Sequence, residues 1–120
     1  MKRDMDLIRN LLMRLEDSSV DLLDGFERKE ICYHNYLLVD AGLAIGIDMG
    51  CDGDVLPQWS VDSLTWAGHE FLDAAREPKR WKQARELILN KVGGASLAIW
   101  TKVLTEQMIA NLATVGPIAG

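Results

Sequence analysis

Cysteine and histidine are scarce: Cys32, Cys51, His34 and His69 are all the chain has of either. No CxxC or HxxxH spacing occurs among them. Cys32 and His34 stand two apart in a stretch with helical character, which turns them about 200° from one another around the axis. They cannot face one ion, so no metal site is expected. A packed thiol and a hydrogen-bonded imidazole are the expected roles. Long apolar runs are also missing. The most apolar stretch, Ala95 to Ala113, is interrupted by Lys102, Glu106, Gln107 and Asn111, too often for a membrane span. The opening Met1-Lys2-Arg3-Asp4-Met5-Asp6 places charges where a secretory apolar core would stand, so a cytoplasmic location is expected.

Catalytic signatures are absent as well. Gly42-Leu43-Ala44-Ile45-Gly46 lacks the third glycine and the following helix of a dinucleotide fingerprint. There is no phosphate-binding loop, and two histidines leave little acid–base chemistry for neutral pH. A non-enzymatic protein without a cofactor is the expectation.

What is present fits a globular domain. The chain has 120 residues, 48% hydrophobic and 26% charged, which suffices for a packed core and argues against disorder. Leucines at helical spacing predict a first helix over Arg3 to Asp17. Glu27 to Ala41 predicts a second, closing on Gly42, with Ile31, His34, Leu38 and Ala41 inward. Leu43 to Asp48 and Gln58 to Leu64 read as two strands of a hairpin, with Gly50-Cys51-Asp52-Gly53 as the turn and Pro57 at an edge. Thr65 is a good N-cap for a helix to Ala75. Pro78 suits the first turn of another, reaching about Lys91, with Trp81, Ala84 and Ile88 inward. Leu97, Trp100, Leu104, Met108 and Leu112 mark a last helix. The expected fold is mainly α with a small β-hairpin: a winged helix-turn-helix-like domain followed by two C-terminal helices. The expected division is 1–91 for the winged-helix-like domain with its appended basic helix, and 92–120 for an apolar C-terminal element.

Two segments carry the winged-helix reading. Leu37-Leu38-Val39-Asp40-Ala41-Gly42-Leu43 resembles the end of a recognition helix entering the first wing strand. Leu64-Thr65-Trp66-Ala67-Gly68-His69-Glu70-Phe71-Leu72 resembles the "LTxxGxxxL" segment that closes a wing and caps the next helix. With the opening "MKRDMDLIR", the stretch "ICYHNYLLVDAGLA" and "DVLP" before "SLTWAGHEFLDAAR", the chain resembles a small uncharacterised family of bacteria and their prophages, catalogued as a domain of unknown function. The resemblance implies a winged-helix-like fold and a mobile-element context, and no catalytic residues. Two features depart from the pattern. Asn35 stands where such a recognition helix is usually apolar, and the helix that normally precedes the recognition helix is missing or reduced to a turn.

Charge placement is uneven. From Leu37 to Ala75 there is no Lys or Arg, against Asp40, Asp48, Asp52, Asp54, Asp62, Glu70 and Asp73. A wing tip carrying Asp48, Asp52 and Asp54 repels phosphate. Cations gather instead at Arg28 and Lys29, and over Arg76 to Lys91, with Arg76, Lys79, Arg80, Lys82, Arg85 and Lys91 against Glu77 and Glu86. The expected duplex-DNA contacts are therefore Arg28, Lys29, Tyr33, Tyr36, Lys79, Arg80 and Lys82, in a transcription regulator of a prophage or other mobile element. The alternative is an acidic module binding a basic protein through Asp48, Asp52, Asp54 and Asp62. The last helix, apolar nearly all round, is expected to pair two copies as a homodimer through Leu97, Trp100, Leu104, Met108 and Leu112.

Overall fold

A computed structural model describes residues 2–19, 21–49, 59–91 and 94–114. The elements follow the expected order: α1 (Met5–Glu16), α2 (Arg28–Asp40), β1 (Ala44–Asp48), β2 (Trp59–Leu64), α3 (Trp66–Ala75), α4 (Pro78–Lys91) and α5 (Leu97–Thr114). The fold is mainly helical with one antiparallel hairpin, compatible with a winged-helix-like arrangement followed by C-terminal helices. No helix among the described residues is long and apolar enough to cross a membrane. The turn expected at 50–53, Pro57, and the candidates Cys51, Asp52 and Asp54 lie outside the described residues.

The chain divides into two compact units, Met1–Leu72 and Asp73–Gly120. This differs from the expected division at 91/92. The reason is that α4 has its own partner in α5. Trp81 stacks on Trp100, with ring centroids 4.7 Å apart and planes 26° from parallel. Ala84, Ile88 and Leu104 are buried beside this pair in the same unit. A basic helix with one apolar stripe therefore belongs with the apolar helix and not with the wing.

In the first unit, Asp4 caps α1. Its carboxylate accepts from the backbone N–H of Asp6 at 2.9 Å and Leu7 at 3.3 Å, so the helix starts two residues later than its periodicity suggests. Leu7, Ile8, Leu11 and Leu12 are all buried. Each contributes about 1.5–3 kcal/mol by leaving water. Asp17 follows the helix, and Ser19 donates to its carboxylate from both hydroxyl and backbone, which holds its pKa below the ordinary range.

No helix intervenes between α1 and α2 among the described residues. A turn through Gly25 connects them, with Phe26 N–H donating to Leu23 O at 3.2 Å. Asn10 of α1 anchors this connection by donating to Leu22 O at 3.2 Å. Glu30 then reaches back to the Glu27 N–H at 3.3 Å, as in a capping box.

The far end of α2 closes in a Schellman motif. Leu43 N–H donates to Leu38 O at 2.9 Å and Gly42 N–H to Val39 O at 3.0 Å. Gly42 sits at φ +75°, where a side chain would be strained. Closure at Gly42 leaves Ala41 exposed at the cap, outside the inward stripe in which it was expected. Ile31 is half-buried, and His34 and Leu38 form the buried line.

The hairpin pairs Ala44 with Leu64, Ile45 with Ser63, Gly46 with Val61, Ile47 with Ser60 and Asp48 with Trp59. Asp62 has no opposite residue and is the bulge. The next helix is latched to the hairpin base. Thr65 donates from its hydroxyl to Gly42 O at 2.6 Å and from its N–H to Leu43 O at 3.1 Å. The same hydroxyl accepts from Gly68 N–H at 3.0 Å. These bonds are the physical content of the "LTxxG" segment.

In the second unit, Glu77 precedes Pro78 and accepts from the backbone N–H of Lys79 at 3.0 Å and Arg80 at 2.7 Å. Those two backbone bonds hold its carboxyl below the ordinary pKa. Such a contribution is present above the unfolded-state pKa and is lost as pH falls through the folded one.

Candidate nucleic-acid interface

Arg28 and Lys29 are exposed on the first turn of α2. Lys29, Tyr33 and Tyr36 recur at i, i+4 and i+7 and so share one face. Both tyrosines are half-buried. Tyr33 lies 6.3 Å from Tyr36 between ring centroids, and Tyr36 lies 6.1 Å from Trp59 on β2. Their rings thus form a row running from the basic first turn towards the hairpin. Such a row offers π-faces and phenolic hydroxyls beside two cations, a combination suited to phosphate and base contact.

His34, whose ring meets Tyr33 edge-on with centroids 5.6 Å apart, is fully buried and uses both ring nitrogens. Nε2 accepts from the Asp4 N–H at 2.8 Å. Nδ1, 2.7 Å from Glu30 O, is the protonated nitrogen, since a carbonyl only accepts. This is a structural imidazole. Its bond to Asp4 ties the residues ahead of α1 to the N-terminal half of α2, so Lys2 and Arg3, both exposed, emerge beside that helix. They are basic residues that sequence reasoning did not include. The signal for them was weak, because the bond that places them joins residues thirty apart.

The expected contacts on α4 divide. Lys79 and Lys82 are exposed. Arg80 is half-buried and occupied: its guanidinium donates to Ala74 O at 2.7 Å, Asp73 O at 3.3 Å and Asn111 Oδ1 at 3.2 Å. It closes the end of α3 and ties α4 to α5 within the second unit. Arg76 pairs with Asp73 at 3.2 Å, three residues before it.

The expected acidic contacts Asp48 and Asp62 are both exposed on the hairpin. Ile45 and Ile47 on β1, and Met49 just after it, are 55%, 57% and 66% exposed. They form an apolar outward row where an antiparallel strand usually presents polar residues. On α5, Trp100 and Leu104 are buried inside their own unit, Leu97 and Met108 are half-buried, and Leu112 is exposed. Among the described residues no group of three His, Cys, Asp or Glu side chains is placed to hold a metal.

The first unit thus presents a helix–hairpin–helix framework with cations at one helix start and carboxylates on the hairpin. Two comparisons define what carries it. The hypothetical-protein family DUF2513 matches residues 2–95, and the chain belongs to that family. An uncharacterized protein of Haemophilus influenzae is 35% identical over 122 residues, covering 92% of this chain and all of its own length. No solved structure matches the chain.

Proposed function

We propose that this chain is a non-enzymatic DNA-binding regulator of winged-helix type, serving a prophage or other mobile element and reading duplex DNA with the first turns of α2. The observation that carries the reading is the exposed Arg28–Lys29 pair with Tyr33 and Tyr36 on the helix that follows. Within the second unit, Lys79 and Lys82 are exposed cations suited to phosphate. The carboxylates of Asp48 and Asp62 keep the hairpin away from phosphate, so the wing-in-groove mode is not part of this reading.

Fluorescence anisotropy with prophage operator DNA tests it. Affinity falls steeply between about 50 and 200 mM salt, in proportion to the phosphates neutralised. Arg28→Ala with Lys29→Ala weakens binding by about tenfold or more and lowers the salt slope by about two. An absence of binding even at low salt overturns the reading.

The outward apolar row of Ile45, Ile47 and Met49 beside Asp48 favours a second reading, an acidic module that binds a basic protein. Asp48→Lys with Asp62→Lys separates the two. In the first reading DNA affinity rises several-fold at low salt, by about one extra phosphate contact or more. In the second, association with a basic partner is abolished.

A homodimer is part of the first reading. With Trp100 and Leu104 committed to the α4–α5 core, the pairing face falls on Ile109 and Leu112, 60% and 69% exposed. Sedimentation of the Ile109→Asp variant then gives the mass of one chain where the parent gives two. A parent sedimenting as one chain overturns the pairing.

A further inference from the structure

Within the first unit, the end of α1, the middle of α2 and β2 line a half-open cavity of about 420 Å³. Its apolar wall includes Leu15, Ile31 and Val61, and its polar wall includes Arg14, Asn35 and Asp62. Three observations make it more than a surface dent.

Asn35 interrupts a helix face that packs against the hairpin. Its Nδ2 donates to Trp59 O at 3.1 Å, but its Oδ1 is buried without a partner. An unpaired buried acceptor costs about 1–3 kcal/mol. Arg14 and Asp62 are both exposed and line the same cavity, yet no ion pair joins them among the described residues. Opposite charges are thus offered to one space without cancelling. Asp62 is also the bulged residue of β2, and bulges recur where a side chain is re-aimed towards a site.

We propose that this cavity binds a free α-amino acid with an apolar side chain. The pattern of one cation, one anion and an apolar wall matches such a zwitterion. The ligand carboxylate pairs with the Arg14 guanidinium. The ammonium group donates to the Asp62 carboxylate. The aliphatic or aromatic side chain lies on Leu15, Ile31 and Val61. A volume of about 420 Å³ holds any of the apolar amino acids. The site involves none of the residues assigned to DNA, and it stands or falls separately from that reading.

The test uses the full chain labelled with ¹⁵N, and L-leucine and L-phenylalanine as probes without DNA. One of the two shifts the Asn35 side-chain amide signals and raises Tm by a few degrees at about ten times its dissociation constant. Removing the probe's carboxylate, as in leucinamide or phenylalaninamide, or blocking its amine, as in N-acetyl-leucine or N-acetyl-phenylalanine, weakens binding by about tenfold each, the worth of one charge-assisted contact. Arg14→Gln and Asp62→Asn weaken the intact amino acid to the same degree. Both side chains are exposed, so the unliganded Tm stays within about 1 °C. Equal binding of the three forms of the probe shows an unspecific apolar cavity and overturns the proposal. So does the absence of a response to either amino acid at about 50 mM, or full binding by either variant.

Discussion

Gly68→Ala destabilises the first unit by about 4 kcal/mol or prevents its folding, an effect larger than most substitutions produce. A Cβ built on Gly68 overlaps the carbonyl oxygen of Leu43 and lies 3.0 Å from its carbonyl carbon. Backbone atoms cannot rotate away as a side-chain tip can. Leu43 is fixed from three sides: its N–H closes the Schellman motif of α2, its carbonyl accepts from Thr65, and its side chain is buried. To admit a methyl group, α3 must lift from the hairpin base, and the Thr65 bonds to Gly42 and Gly68 go with it. Gly94→Ala is the control, since a Cβ there meets nothing within 4 Å, and its effect stays within about 0.5 kcal/mol. Urea denaturation followed by circular dichroism separates the two. An unchanged midpoint for Gly68→Ala refutes the close approach.

His34→Ala costs about 3 kcal/mol. Truncation removes a fully buried ring and leaves a cavity between α1 and α2. It also strands the Asp4 N–H, which donates to Nε2 and is partly buried. Glu30 O keeps its place in the helix ladder, so the loss concentrates on the start of α1. His34→Gln restores an acceptor on a longer side chain and recovers part of the loss. Amide exchange at Asp4 provides a second reading of the same event: it quickens strongly in His34→Ala. A stability change below about 1 kcal/mol would show that the imidazole only fills space.

Element boundaries were largely legible because local chemistry sets them. Gly42, Thr65 and Pro78 act within one turn of where they stand, and each terminates or opens a helix as its chemistry requires, whereas Asp4 caps a helix expected to begin at Arg3. The stripe of Trp81, Ala84 and Ile88 was equally plain, because a charged helix has only one face to bury. The α5 stripe was less so. A helix apolar all round does not disclose which side its neighbour takes, and Leu112 is 69% exposed although it continues the line of Trp100 and Leu104.

The candidate sites were legible in part. Arg28 and Lys29 are exposed as their position at a helix start implies. Arg80 has the composition of a phosphate contact but the geometry of a clamp, and only its three acceptors reveal this. Asn35 was visible as an anomaly in its helix. Its meaning needed the hairpin strand that supplies Trp59 O, twenty-four residues away. Arg14 and Asp62 share a cavity although forty-eight residues separate them, and no spacing rule anticipates that.

The outward row of Ile45 and Ile47, continued by Met49, begins on a strand paired with only one neighbour among the described residues. A second copy of the same strand is the most readily available partner for such an edge, and sheet growth from molecule to molecule is the hazard. Asp48 alternates with that row on β1, and Asp62 is the bulged residue of β2. Two hairpins approaching edge to edge bring like charges together before their backbones can bond. The acidity of the hairpin therefore works as a gatekeeper against aggregation whatever the protein binds, and the alternation of isoleucine with aspartate is tolerated in one chain because it is repelled by the next.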